Sequence, residues 1–223
     1  MCGRYSLYSP HGRIAAALGI AMPPPSDDDS PRYNIPPGTR PWTAALAPGG
    51  VQLESALWGF RPPWAGPDAP RPINARAEKV ASSRYFAEAF AHDRCLVPAD
   101  AWFEWYHGEA GKRPYCVRHR DGELLMLAGI RTRDAESGEA CFAIITQPAV
   151  PGLDWLHDRM PVVLDPDCWN AWLDPERTSR SAVRSVVRSL RAEVLESYAV
   201  SQRVNRPDND DAAVLEPATP SED

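Results

Sequence analysis

Apolar and polar residues alternate over short stretches along most of this chain. The stretches are rich in β-branched and aromatic side chains, the signature of half-buried strands. By that pattern residues 2–8 predict a strand, and Ser9-Pro10 starts a helix that runs through 14–18 to Gly19. Residues 21–31, dense in Pro and Asp, predict a surface loop. Residues 32–38 predict an extended run that then turns, because residues before Pro are pushed out of the helical region. Residues 42–47 and 51–58 flank Gly49-Gly50 and predict a hairpin. The segment 58–64 is too rich in Pro for a regular element, and Asn74 opens a helical region reaching residue 90. Strands at 95–97, 101–106, 115–119, 124–130 and 141–146 follow, with a turn at 108–111. Residues 151–159 predict a turn or short helix, 162–164 a strand and 167–173 a helix. Over 180–195, Val183, Val186, Val187 and Leu190 recur at helical spacing with Arg on the other face, and 200–215 is short and extended. Helices and strands mix without a βαβ rhythm and without internal repeats. The expected fold is α+β: a single β-rich domain over 1–217, its mixed sheet coiled and barrel-like and flanked by short helices. A disordered acidic tail, 218–223, ends the chain.

Composition narrows the function classes. Five Cys is an odd count without a C-x-x-C pair, and the five His lack ligand spacing. A disulfide framework and a structural metal site are therefore not expected, nor is any cofactor, and a reducing cytoplasm is the natural compartment. No apolar run approaches a membrane span and nothing after Met1 reads as a signal peptide. The net charge of −6 argues against a wholly basic surface, but it is uneven: residues 1–133 carry a positive excess and 134–223 a negative one. All but two of the 24 basic residues are Arg, which suits planar contacts to phosphate, although a GC-rich genome gives the same bias.

Particular residues call for chemistry. If Met1 is trimmed, Cys2 becomes the amino terminus and carries two nucleophiles on adjacent carbons. Its α-amine, with an ordinary pKa of about 7.7–8.0, is partly neutral at pH 7, and a positive neighbour would raise the small thiolate fraction of its thiol. Such a 1,2-aminothiol condenses with an aldehyde to an imine and then closes a thiazolidine ring. The plain alternative is a small buried hydrophobe near a frayed end. Glu104 lies in Trp102-Phe103-Glu104-Trp105-Tyr106, where strand alternation places Trp102, Glu104 and Tyr106 on one face. A carboxylate among aromatics is desolvated and its pKa raised; otherwise it is a rim Glu paired with an Arg. His157 has the intrinsic pKa of a proton shuttle, or is a satisfied structural His. Asn74 and Arg76 could face one ligand, or be a helix cap and a surface Arg.

Six blocks occur in order: Met1-Cys2-Gly3-Arg4-Tyr5, Arg32-Tyr33-Asn34-Ile35-Pro36-Pro37-Gly38, Trp58-Gly59-Phe60, Asn74-Ala75-Arg76-Ala77-Glu78, Pro98 through Trp105, and His157-Asp158-Arg159-Met160-Pro161. Together they resemble the SOS response-associated peptidase (SRAP) domain family, over residues 2 to about 217. The resemblance implies a protein of the DNA damage response that crosslinks covalently to abasic sites in single-stranded DNA. It implies a monomeric cytoplasmic protein, nucleoid-associated when bound to DNA. It casts Cys2 as the nucleophile, Asn74 beside the sugar, Glu104 as the acid assisting ring opening, and His157 as a general acid/base near the sugar hydroxyl and 3′ phosphate. Arg76, Arg84 and Arg159 fall to phosphate contacts, Arg4 to DNA binding, Asn34 and Pro37 to the channel lining, and Trp64 to an aromatic wedge. Where some members carry a second Trp after the wedge, this chain has Ala65-Gly66.

The imine stage implies weak lyase activity at most, because ring closure shields the sugar. Two other readings compete. One is a thiol peptidase (a hydrolase) using Cys2, His157 and Glu104, acting on Met1 or a short extension. The other is a non-covalent binder of single-stranded DNA.

Overall fold

The computed structural model describes residues 2–21, 30–109 and 111–218. Strand β1 (Tyr5–Leu7), helix α1 (His11–Leu18) and strand β2 (Arg32–Ile35) come first. The hairpin β3 (Trp42–Ala47) and β4 (Gly50–Ser55) follows, then two short strands, β5 (Leu57–Trp58) and β6 (Asn74–Arg76). Helix α2 (Ala87–His92) leads into β7 (Arg94–Ala99), β8 (Ala101–Gly108), β9 (Gly111–His119), β10 (Leu125–Arg133) and β11 (Ala140–Pro148). The remainder is β12 (Arg159–Pro161), two five-residue helices, α3 (Trp169–Leu173) and α4 (Arg180–Arg184), and β13 (Leu195–Ala199).

The expected β-rich α+β fold is what forms, but its strands divide between two sheets, neither closed into a barrel. One sheet runs β13-β9-β8-β1-β2 and the other β12-β11-β10-β7-β3-β4, with β5 and β6 parallel to β11 at its second edge. The larger core gathers Tyr5, Trp58, Trp102, Leu127 and Phe142; a smaller one, around Phe103, Cys116, Val204 and Val214, lies against the other side of β8 and β9. The alternation of β8 explains the division: Trp102 enters the larger cluster and Phe103 the smaller.

Three sequence expectations need correction. Asn74 starts a strand, not a helix, because residues 74–76 pair in parallel with Ile144–Thr146 (Ile144↔Asn74, Thr146↔Arg76); after a run of turns the helix is confined to Ala87–His92. The helix expected over 180–195 stops at Arg184, because the chain beyond is captured by the 162–164 segment: Leu190 N–H donates to Val163 O at 2.7 Å and Ser189 bridges Leu164. Residues 200–215 form two 3-10 turns rather than an extended run. Parts of the 21–31 loop and most of the acidic tail lie outside the described residues.

Two carboxylates tie the amino-terminal strand down. Asp100, nearly fully buried, accepts from the N–H groups of Tyr8 and Ser9 at 2.7 Å each and from the Ser9 hydroxyl at 2.5 Å. Asp210 accepts from the N–H groups of Tyr33 (2.5 Å) and Asn34 (2.7 Å) and from the Arg32 guanidinium. The 3-10 turns near the C-terminus are thereby sewn onto β2, the neighbour of β1. The strand that carries Cys2 toward the site is fixed on both flanks.

Candidate active site

Cys2 lies where the two sheets approach one another. β1 pairs antiparallel with β8 (Tyr5↔Trp102), and Phe103 N–H donates to Arg4 O at 3.0 Å, which runs the residues before β1 alongside Glu104. From the other sheet, the first residue of β6 reaches across: Asn74 Nδ2 donates to Cys2 O at 2.9 Å. Cys2 is fully buried. Met1 lies outside the described residues.

The thiol does not have the environment its sequence suggests. Burial, and next the negative charge of Glu104, push its pKa far up, outweighing the opposing pull of the amino-terminal charge and of a backbone hydrogen bond at Arg4. The sulfur is therefore held as a thiol, and it can attack only if a base removes its proton. Glu104 is itself 3% exposed. Burial raises its pKa from about 4.5 to about 7, so near neutral pH it populates both protonation states. Glu104 is thus the desolvated carboxyl that the aromatic context implies, and not a rim carboxylate.

His157 follows a turn over 151–156 and is partly buried, and burial lowers its pKa. Its Nδ1 accepts the Arg159 N–H at 2.9 Å and lies 2.7 Å from Asp158 Oδ1. Asp158 also contributes to the raised pKa of Glu104, which links the histidine turn to the carboxyl on β8.

The arginines divide into two kinds. Arg76 and Arg84 are exposed, and the Arg84 guanidinium lies 5.0 Å from the Trp64 ring. Trp64 is 56% exposed and stands edge-on to Tyr85 at 5.7 Å. Arg4 and Arg159 are held by the protein. Arg4 Nη1 donates to Asn34 Oδ1 (2.8 Å) and Val204 O (2.9 Å). Arg159 is forked onto Glu78 at 2.5 and 3.1 Å, and it donates to Thr146 O at 2.6 Å and Thr146 Oγ1 at 3.2 Å. Asn34 is fully buried: its Nδ2 is spread over the carbonyls of Val204, Arg206 and Asn209. Its Oδ1 meets Arg4, whereas Pro37 is exposed. Glu78 and Thr146 are the residues that sequence reasoning missed. Glu78 was visible only as the last letter of a motif, and Thr146 carried no signal at all.

The whole arrangement can be set beside known proteins. The sequence model of the family described as SOS response associated peptidase (SRAP) matches residues 1–207. This chain belongs to the SRAP family. An SRAP relative, the abasic site processing protein YoaM of Bacillus subtilis, is 32% identical, covering 97% of this chain and 98% of its own. The abasic site processing protein YedK of Escherichia coli is 31% identical over 97% of this chain and 100% of its own. Among solved structures, a protein from Bacteroides thetaiotaomicron superposes with a TM-score of 0.81 at 26% identity, covering 98% of this chain and 100% of that one.

Within this SRAP fold Cys2, Asn74, Glu104 and His157 come from four separate segments: the residues before β1, β6, β8 and the turn before β12. Asn74 touches Cys2 directly, and Glu104 and Asp158 are electrostatically coupled to the same place. Among the described residues no group of three or more His, Cys, Asp or Glu is arranged to hold a metal ion. No helix among them is long and apolar enough to cross a membrane.

Proposed function

We propose that this SRAP protein captures abasic sites in single-stranded DNA by covalent bonding to Cys2, once Met1 has been removed. The observation that carries the reading is the junction at Cys2. Its carbonyl is held by Asn74, and a buried carboxyl with a pKa of about 7 stands beside it. The names of the relatives supply the substrate class.

The chemistry runs amine first. Glu104 in its acid form protonates the ring oxygen as the deoxyribose hemiacetal opens to the C1′ aldehyde. The Cys2 amine adds to C1′, and loss of water gives the imine. Glu104, now a carboxylate, takes the thiol proton; sulfur bonds to C1′, and the proton passes to nitrogen as the C=N bond becomes C–N. The product is a thiazolidine, with one water released overall. A thiol buried and raised in pKa cannot open the sequence but can finish it, because the imine brings the electrophile to it. The Asn74 Oδ1 atom is buried and without a partner, an acceptor available to an amine or sugar hydroxyl. His157 serves the sugar hydroxyl and 3′ phosphate as general acid/base. Arg76 and Arg84 take phosphates from the exposed side, while Arg4 and Arg159 are pre-set by their partners. Trp64 stacks on a base next to the lesion, a sequence-tolerant contact.

The buried, protonated thiol also weighs against the thiol peptidase reading, which needs a thiolate as the opening nucleophile. Intact mass and a denaturing gel test the proposal together. Protein confirmed to start at Cys2 is mixed with an oligonucleotide carrying one abasic site. A heat-stable shifted band is expected, absent with Cys2→Ala and with undamaged DNA. No band from correctly trimmed protein would overturn the covalent reading.

A further inference from the structure

The face of β8 that bears Glu104 continues outward into aromatic residues that the crosslinking chemistry does not use. Trp102, Glu104 and Tyr106 alternate to that face, and β9 sets Tyr115 opposite Glu104 and Arg113 opposite Tyr106. Trp155, from the turn that precedes His157, packs on this edge: its ring lies 5.0 Å from Tyr115 at 84° and 5.7 Å from Tyr106 at 54°. Trp155 is 46% exposed and Tyr106 37% exposed. Among the described residues only Trp64 and Leu46 join them as exposed large apolar side chains.

The indole is held in place. Its one polar atom, Nε1, donates to Gly152 O at 3.0 Å within its own turn, and that turn is tied by Gly152 N–H donating to Asp154 Oδ1 at 3.1 Å. Two tyrosine rings hold the apolar body, and the exposed part stays oriented. A cation borders the patch: the Arg113 guanidinium is 5.9 Å from the Tyr115 ring. Glu104 and Tyr106 are two residues apart, about 6.8 Å along the strand. The aromatic edge therefore begins within one side chain's reach of the reacting carboxyl.

Resting on the reading above, we propose that Trp155 and Tyr106 form a second base-stacking platform for single-stranded DNA. It stands on the β8 side of Cys2, whereas Trp64 stands on the segment that follows β5. The occupant is a nucleobase: a fixed, exposed π-face bordered by Arg113 and continuous with the site matches a flat aromatic group carried on a polyanion. The strand is then gripped on both sides of the lesion, and the lone wedge at Trp64 is supplemented from the opposite flank.

The test separates this platform from the covalent chemistry by using a tetrahydrofuran abasic analogue, which has no aldehyde and cannot crosslink. Trp155→Ala and Tyr106→Ala are expected to weaken binding of that oligonucleotide roughly tenfold each, with Trp155→Phe retaining most of the affinity. At saturating true abasic DNA, the crosslinking rate of both Ala variants is expected to match the unmodified protein. A 2-aminopurine reporter placed in turn at each flanking position should lose its fluorescence change on one flank in Trp155→Ala and on the other in Trp64→Ala. Binding within twofold of the unmodified protein for both Trp155→Ala and Tyr106→Ala would overturn the platform, as would loss of the reporter change on the same flank in Trp155→Ala and Trp64→Ala. If Trp155→Ala does not fold by circular dichroism, Tyr106→Ala carries the same expectations. A protein that forms no crosslink, yet binds the analogue through Trp155, upholds the platform and overturns only the covalent reading.

Discussion

Glu104→Gln separates the electrostatics of the site from its packing. In the native protein burial moves the Glu104 pKa from about 4.5 to about 7, and the side chain is 3% exposed. A displacement of that size corresponds to about 3 kcal/mol. Below the unfolded value both states hold the proton, and Glu104 costs nothing. Between pH 4.5 and 7 the unfolded chain ionises while the folded one does not. Stability is therefore lost progressively and the full penalty stands above pH 7. Gln has nearly the same shape and does not titrate, so any constant cost of burying its amide shifts the whole curve without tilting it.

The stability of the variant minus that of the parent, from urea denaturation, should rise by about 3 kcal/mol between pH 4 and pH 8. The other titrating groups cancel in the difference. Over the same variant, crosslinking at pH 7 should fall about 100- to 10,000-fold, the usual worth of a positioned general acid/base. A stability difference that stays flat from pH 4 to pH 8 would refute the argument that Glu104 is desolvated. Unchanged crosslinking with the expected tilt would leave the desolvation standing and remove Glu104 from the chemistry.

Other expectations follow from single contacts. Cys2→Ser keeps the amine and loses the sulfur, so it should give an imine trapped by borohydride but no heat-stable adduct; a stable adduct without reductant would sink the ring-closure step. Asn74→Ala removes the 2.9 Å hydrogen bond to Cys2 O; a misplacement of the nucleophile by about 1 Å costs on the order of 100-fold in rate, and binding of the tetrahydrofuran analogue should barely change. Gly129→Ala tests the packing of β10. A Cβ there would meet Cys95 Sγ at 2.7 Å and Val97 Cγ2 at 3.0 Å. Overpacking should cost about 1–3 kcal/mol in urea denaturation; an unchanged midpoint would show that the β7–β10 contact yields easily.

What could be seen in the sequence was what depends on neighbouring residues. The alternation of 101–106 identified the face on which Glu104 lies, and the helix after Pro10 ends at Gly19, whose φ of 64° suits a residue without a side chain. What failed was set by distant pairing. Asn74–Arg76 is three residues long and is a strand only because β11, some 70 residues later, lies beside it. The apolar spacing of 180–195 matches a helix, yet the hydrogen bond to Val163 and the bridge at Leu164 take the chain first. One coiled sheet and two open sheets read alike strand by strand, since only the partners differ.

The site shows the same limit more sharply, because the charge state of a group belongs to its surroundings. From the sequence Cys2 is an aminothiol whose thiolate fraction a cation would raise. In the fold burial and Glu104 outweigh the amino-terminal charge and the Arg4 backbone hydrogen bond, and they hold the proton on sulfur. Arg159 reads as a free cation until Glu78, 81 positions away, is found holding it. The consequence is mechanistic as well as descriptive. With the thiol protonated, a step that begins at sulfur needs a base before the electrophile is bound, whereas an α-amine is already partly neutral near pH 7. In the proposed covalent reaction, the carboxyl that raises the thiol's pKa is also the group that removes its proton once the imine has formed. For the proposed crosslink, that juxtaposition favours an order of bond formation in which nitrogen precedes sulfur.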